Sequence, residues 1–102
     1  SGTVKLDGNF PTGTNNVALG NTALDASTGN YNTAIGTNAL TNNTGASNTA
    51  VGNQSLETNT SGTRNVAVGS SAGYNTSSGA NNTAIGTVAQ CFQTPLVQTT
   101  RR

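Results

Sequence analysis

Few side chains in this sequence could carry catalytic chemistry. The acids Asp7, Asp25 and Glu57 lie far apart in the chain, and there is no histidine. General acid–base catalysis needs a positioned proton donor or acceptor, and no serine or threonine here has an obvious base beside it. The single cysteine, Cys91, excludes an intrachain disulfide, and the commonest metal ligand is missing. We therefore predict a non-enzymatic protein with no catalytic residues, cofactor or metal.

The composition also excludes several classes of partner. Four basic residues against three acidic ones are too few to follow the phosphates of a nucleic acid, so we expect no nucleic-acid partner. No window approaches the roughly 20 consecutive apolar residues of a membrane helix, so we expect no membrane span in this chain. Only 31% of the residues are hydrophobic and 7% are charged, far below the average globular protein. An ordinary globular core is not predicted.

A five-residue phrase recurs along the chain at a fixed period and divides the sequence into repeats. The copies NVALG, NTAIG, NTAVG, NVAVG and NTAIG begin at residues 16, 32, 48, 65 and 82, and a second glycine precedes each copy by three residues. Fixed-period self-similarity is the signature of stacked repeats, in which neighbouring units complete each other's core. The sequence predicts an all-β solenoid with 16–17-residue coils. We expect an N-terminal cap or degenerate coil at 1–15, five coils at 16–89, and a C-terminal cap or linker at 90–102.

Within each phrase the apolar residues alternate with period two, which is typical of a β-strand. We expect parallel strands at 16–20, 32–36, 48–52, 65–69 and 82–86. A further apolar position predicts a second short strand at Ala23-Leu24, Ala39-Leu40 and Ser55-Leu56, with Ala72-Gly73 as the odd copy. The segments between are rich in glycine, asparagine, serine and threonine, which form turns. Each repeat asparagine should stack on its counterpart in the next coil.

The alternation divides each strand into two faces, and we predict a role for each. The coil interior is predicted to hold Leu19, Ile35, Val51, Val68 and Ile85, together with Leu24, Leu40 and Leu56. The other face carries an alanine row that is identical in all copies, namely Ala18, Ala34, Ala50, Ala67 and Ala84. A chain with so few apolar residues needs further buried surface, so we predict that this row is a close contact between subunits. The alternative is that the alanines lie in a cramped turn inside the same coil.

The phrases NTAIG, NTAVG and NVAVG, with a following xxAL or xxAG, resemble the head repeats of trimeric autotransporter adhesins (YadA-type heads). The resemblance covers residues 16 to about 89. It implies a homotrimer of left-handed parallel β-rolls in an extracellular fibre that binds host matrix or other cells. The family's heads commonly use SVAIG at a shorter period, whereas here asparagine leads and one turn is longer. Longer versions rich in Asn, Thr and Gly are also similar to segments of phage tail fibres and other virion fibres.

Three functions stay open at this stage. The first is an adhesive segment of a trimeric surface or virion fibre that attaches to a host-cell glycan or matrix protein. It follows from the uniform strands and varied turns, since binding usually resides in loops. The candidate ligand-facing residues are Tyr31, Arg64 and Tyr74. The second is a pure spacer whose turns vary freely, as in a tail fibre.

The third function is ice binding by a flat, threonine-rich face of the solenoid. Thr33, Thr49 and Thr83 are predicted to align on the strands, but Val17 and Val66 interrupt the column. No Thr-x-Thr pair repeats on a strand either. Thermal hysteresis between melting and freezing points would identify this function.

Overall fold

The computed structural model describes residues 13–89 and 92–93, and its strands follow the repeat. The strands are β1 (Val17–Leu19), β2 (Thr33–Ile35), β3 (Thr49–Val51), β4 (Val66–Val68), β5 (Asn82–Ile85) and β6 (Phe92–Gln93). They form one sheet in the order β1-β2-β3-β4-β5-β6. The first five strands are parallel, and β6 runs antiparallel to β5. The described part of the chain contains no helix.

The register of the sheet joins equivalent positions of successive repeats. For example, Thr33 pairs with Thr49, Ala34 with Ala50, and Ile35 with Val51. Each parallel step therefore advances the chain by one repeat, and the chain forms a parallel β-solenoid of about 4 turns. The fold class predicted from the period is confirmed at this level. The β-branched residues of the phrase favour the extended strand, and the glycine that ends each phrase starts the turn.

The predicted second strand is wrong, because the segment after each phrase is a turn. In the first coil, Thr22 and Leu24 both have positive φ, 61° and 56°, which a strand cannot accommodate. The Ala23 N–H donates back to the Gly20 carbonyl at 3.3 Å, as in a tight turn. The Leu24 N–H still donates to the Ala39 carbonyl of the next coil at 3.1 Å. The segment thus bends within its own coil while stacking on the next one.

The interior of the solenoid is lined by small residues on the strand side and by leucine on the turn side. Leu24, Leu40 and Leu56 are fully buried, as predicted. The alanine row also faces inward: Ala34, Ala50 and Ala67 are fully buried, Ala84 is 1% exposed, and Ala18 packs against the same cluster. The predicted subunit contact through Ala18, Ala34, Ala50, Ala67 and Ala84 is therefore corrected, since these side chains lie inside their own coil.

The larger aliphatic residues of the strands point outward, which reverses the predicted interior. Ile35 is 37% exposed, Val68 38% and Ile85 56%, and Leu19 and Val51 are partly exposed. The physical reason is space. The leucines of the turns and the alanine row form one buried cluster, so leucine fills the interior from the turn side and the strands contribute only methyl groups. The five positions Leu19, Ile35, Val51, Val68 and Ile85 are therefore not the core.

Two glycine columns allow the coils to approach each other closely. A Cβ atom added to Gly36 would lie 2.7 Å from the carbonyl carbon and oxygen of Gly52, and the φ angle of Gly36 is +128°. A Cβ atom on Gly45 would collide with the carbonyl oxygen of Gly62 in the next coil. Gly36 therefore requires glycine for both the contact and the conformation, and Gly45 requires it for the contact. These glycines therefore set the spacing between coils.

Candidate interaction surfaces

Two polar columns of buried side chains hold the coils in register. In the first, the backbone N–H of Asn48 donates to the Asn32 Oδ1 at 2.8 Å, and the Asn65 N–H donates to the Asn48 Oδ1 at 2.9 Å. Within its own coil, the Asn48 Nδ2 donates to the Gly62 carbonyl at 2.8 Å. The predicted stacking of the repeat asparagines is confirmed. We call the column of Asn16, Asn32, Asn48, Asn65 and Asn82 the asparagine ladder.

The second polar column was missed from the sequence. Asn43 and Asn59 are fully buried. The Asn59 Nδ2 donates to the Asn43 Oδ1, 2.6 Å away. The Asn48 Nδ2 also donates to that oxygen, at 3.1 Å, so the two columns are joined. The sequence signal was an asparagine that recurs one coil apart within the turn. Such fully bonded networks fix one arrangement of the chain, because any other register leaves buried amides unsatisfied.

The outward side of the parallel sheet forms a continuous surface with no charged residue. Two rows cross strands β1 to β5, and we call them together the outer face. One row is Val17, Thr33, Thr49, Val66 and Thr83, and the other is Leu19, Ile35, Val51, Val68 and Ile85. Neighbouring members of a row lie about 4.7–4.9 Å apart. Parallel sheets are normally covered on both faces, so an uncovered one is unusual.

A column of exposed corner residues borders the outer face. It consists of Asn15, Tyr31, Ser47, Arg64 and Asn81, all with positive φ, and we call it the corner column. Each member precedes a ladder asparagine by one position. Tyr31 is 62% exposed. The exposed Arg64 donates from its Nε to the Asn81 Oδ1 at 2.9 Å. The solenoid thus holds Tyr31 and Arg64 two coils apart on one edge, about 9–10 Å along the rod.

The third candidate ligand-facing residue, Tyr74, lies away from the corner column. It is half-buried in the turn of the fourth coil, where its carbonyl accepts a hydrogen bond from the Thr58 hydroxyl. The structure therefore brings together two of the three predicted residues and separates the third. The repeat period carried this signal, because Tyr31 and Arg64 each precede a ladder asparagine by one position and Tyr74 does not.

The acidic residues of the described segments do not assemble into a cluster. Asp25 and Glu57 occupy equivalent turn positions two coils apart, with Thr41 between them, and the enclosed Asp25 Oδ1 and Glu57 Oε1 have no hydrogen-bond partner. Residues 13–89 hold no group of three or more His, Cys, Asp or Glu side chains close enough to bind a metal ion. Asp7, Cys91 and most of the two predicted caps lie outside the described residues.

Within the described ranges, no helix is long and apolar enough to span a bilayer.

Comparison with known proteins adds no relative: no family model, curated protein or solved structure matches the chain.

Proposed function

We propose that this chain is a non-enzymatic segment of a homotrimeric surface or virion fibre, in which the stacked coils are the scaffold and the exposed turns attach to a host glycan or matrix protein. The observation that carries the proposal is the outer face. It presents aliphatic and β-branched side chains across five strands, with Ile85 56% and Val17 48% exposed. Exposed apolar patches of this kind mark contact sites, and the contact proposed here is with further copies of the chain.

The pattern of the outer face favours copies of the same chain as its partner. Its rows repeat once per coil, so a second solenoid lying alongside would present the same spacing of about 4.7–4.9 Å. The face carries no charge that would oppose self-association or require a complementary partner. The subunit contact is thus assigned to the row of Ile35, Val51 and Val68, in place of the alanine row. Trimeric closure and left-handed coiling are taken from the resemblance to YadA-type heads.

The size of the outer face sets how strong this contact can be. Five strands at about 4.8 Å give a length of about 24 Å, and a width near 10 Å gives an area on the order of 250 Å². A stable interface buries about 800 Å² on each partner. The contact of this segment alone is therefore weak, and assembly should strengthen as further coils extend the same rows.

The corner column supplies the proposed attachment site. Tyr31 offers an exposed aromatic ring with a polar tip, and Arg64 offers a guanidinium group, so together they suit a glycan or a polar protein surface. Both stand on rigid coils at a fixed separation, which lowers the entropic cost of binding. A pure spacer is the alternative. It predicts that changing Tyr31 and Arg64 leaves every measured attachment unchanged.

Ice binding is retained as a second alternative because Thr33 and Thr49 are adjacent and in register on the outer face. The valines at positions 17 and 66 interrupt that row. Thermal hysteresis in the dilute protein would favour this function, and its absence together with self-association would favour the fibre.

Sedimentation equilibrium over a wide concentration range tests the subunit contact. Val51→Lys places a charge in the middle of the outer face and should shift the protein toward monomer with an unchanged β-type circular dichroism spectrum. Asn53→Lys adds the same charge at an exposed position beyond the strand and serves as the matched control. The proposal fails if Val51→Lys assembles as strongly as Asn53→Lys, or if the parent stays monomeric even when the coils are duplicated in tandem.

The attachment claim needs a separate experiment. The parent protein, a Tyr31→Ala and Arg64→Ala double variant, and a Thr37→Ala control at another exposed turn are compared on glycan and matrix-protein arrays. We expect binding by the parent and the control and its loss in the double variant. Equal signals from all three proteins would refute the corner column as the site, while leaving the subunit contact untouched.

A further inference from the structure

A groove opens beside the turn of the fourth coil, toward the C-terminal end of the solenoid. Its volume is about 350 Å³, at the small end of the range of about 300–1,000 Å³ that is usual for ligand sites. Tyr74 of the fourth coil and Asn82, Val88 and Ala89 of the fifth line it. Gly73 also lines it and occupies the position held by leucine in the three coils before, so no leucine side chain fills this space. We call it the terminal groove.

At the two coil boundaries that precede the terminal groove, three donors converge on one carbonyl oxygen. In the third coil, the Thr60 N–H, the Ser61 N–H and the Thr60 hydroxyl all donate to the Ser77 carbonyl, at 2.8, 3.1 and 2.9 Å. In the second coil, the N–H and hydroxyl of Thr44 and the N–H of Gly45 donate in the same way to the Thr60 carbonyl, at 2.5, 2.7 and 3.2 Å. The repeat therefore builds a three-donor site for one neutral carbonyl oxygen.

The fourth coil carries the same donors within the terminal groove. Ser77 and Ser78 occupy the positions of Thr60 and Ser61, and both are exposed and line the groove. No described residue accepts a hydrogen bond from their N–H groups or from the Ser77 hydroxyl. We call these three groups the terminal three-donor site. By the geometry of the two earlier boundaries, they converge on a single acceptor oxygen.

A buried acceptor lines the same groove. Asn82 is only 8% exposed. At the boundary before it, the Asn65 Oδ1 accepts from the Asn82 N–H at 2.9 Å. The Asn82 Oδ1 itself accepts a hydrogen bond from no described residue. A buried polar atom without a partner costs free energy, so an occupant of the groove that donates to this oxygen is favoured.

The charges around the groove select a neutral ligand. None of the described residues that line it is charged. A phosphate, sulfate or carboxylate would lose hydration there without gaining a cationic partner. In the second and third coils the equivalent donors bind a peptide carbonyl, so the oxygen of a neutral amide fits the terminal three-donor site best.

The remaining groups favour a sugar as the carrier of that amide. Sugar hydroxyl groups both donate and accept, so they suit the Asn82 Oδ1 and the serine side chains together. Tyr74 has an aromatic ring on which the apolar face of a sugar can pack. We propose that the terminal groove binds an N-acetylated amino sugar, with the acetamido carbonyl oxygen in the terminal three-donor site. This site is separate from the corner column, since neither Tyr31 nor Arg64 lines the groove.

A nuclear magnetic resonance titration of the whole 102-residue chain with N-acetylglucosamine tests the proposal. We expect saturable shifts of the Ser77 and Ser78 amide signals. The Thr44 and Gly45 amides, which are bonded two coils away, are the internal reference and should not shift. Glucose has a hydroxyl group in place of the acetamido group and should bind at least about tenfold more weakly, because it lacks the carbonyl oxygen. Equal binding of the two sugars, or no saturable shift at Ser77 and Ser78, would overturn the proposal.

Variants of Ser77 test the three-donor site itself. Ser77→Ala removes only the hydroxyl donor of an exposed residue and should weaken the binding of N-acetylglucosamine roughly 2- to 10-fold. Ser77→Thr keeps a hydroxyl, as Thr60 has in the third coil, and should bind like the parent. Thr44→Ala removes the equivalent hydroxyl two coils away and is the matched control. The Tyr31→Ala and Arg64→Ala double variant should also bind like the parent. Unchanged affinity in Ser77→Ala, or tighter binding of N-acetylalanine methylamide than of the sugar, would contradict the assignment.

Discussion

The replacement Asn48→Asp tests the asparagine ladder with a change of one atom. Asn48 is fully buried, and its Oδ1 accepts from the Asn65 N–H at 2.9 Å. Its Nδ2 donates to the Asn43 Oδ1 at 3.1 Å and to the Gly62 carbonyl at 2.8 Å. An aspartate keeps the acceptor but replaces the donating nitrogen with an oxygen that faces two other oxygens. The volume of the side chain is almost unchanged, so packing does not confuse the result.

The expected loss of unfolding free energy in Asn48→Asp follows from these contacts. Two hydrogen bonds at about 1 kcal/mol each disappear, and a buried carboxylate without a positively charged partner destabilises by about 3–5 kcal/mol. A domain of this size has about 5–15 kcal/mol of stability. The variant should therefore be near the limit of folding at neutral pH. Protonation restores one donor, so the pKa of the introduced carboxyl in the folded state is raised above its ordinary value of about 3.9.

The raised pKa determines how the stability of the variant changes with pH. The variant is least impaired below about pH 4, where the carboxyl is protonated in both states, and it loses stability as the pH rises through the folded-state value. Urea unfolding followed by circular dichroism between pH 3 and 8 measures this. Asn42→Asp, at an exposed turn position, adds the same group and is the control. If both variants unfold alike at every pH, or if Asn48→Asp gains stability with rising pH, the ladder argument is refuted.

Three further substitutions test the interior. Ala50→Gln should overpack the coil and destabilise it by about 1–3 kcal/mol or more in thermal melts, whereas Thr49→Gln on the outer face should leave the fold intact. Gly36→Ala should unfold the chain because its Cβ would lie 2.7 Å from Gly52. Gly86→Ala should be milder in the same melts, because its Cβ would lie 3.8 Å from the Ala89 Cβ, the nearest atom among the described residues. Leu56→Ala should lower the unfolding free energy in urea by about 2–5 kcal/mol; a loss below about 1 kcal/mol would contradict its core position.

The sequence was sufficient for the period, for the strand within each repeated phrase and for the register of those strands. A repeated phrase with period-two alternation leaves one arrangement in which like residues stack, and the asparagine in each phrase excludes the others, because a shifted register would bury unpaired amides. The strand pairs of Thr33 with Thr49 and Ala34 with Ala50 follow directly.

The sequence was not sufficient to decide which side of each strand faces inward. Alternation gives two faces without saying which is the core, and the usual preference for large residues inside pointed to Ile35 and Val51. The invariance of the alanine row did signal a steric limit, but the limiting neighbour is a leucine of the same solenoid. The missing information was the bend at Leu24, whose positive φ is rare for leucine and carries no sequence signature. Without that bend, the leucine would belong to a second strand.

The direction of the hydrogen bonds between coils determines how the rod carries mechanical load. The bond from the Asn48 N–H to the Asn32 Oδ1 joins neighbouring coils, as does the backbone bond from the Leu24 N–H to the Ala39 carbonyl, so these bonds run along the rod. A pull on the two ends of the rod stretches every bond at a coil boundary together. A sideways pull on one terminus opens them one after another. Bonds that share a load break at a higher force than bonds broken in sequence, so this solenoid resists stretching far better than it resists peeling.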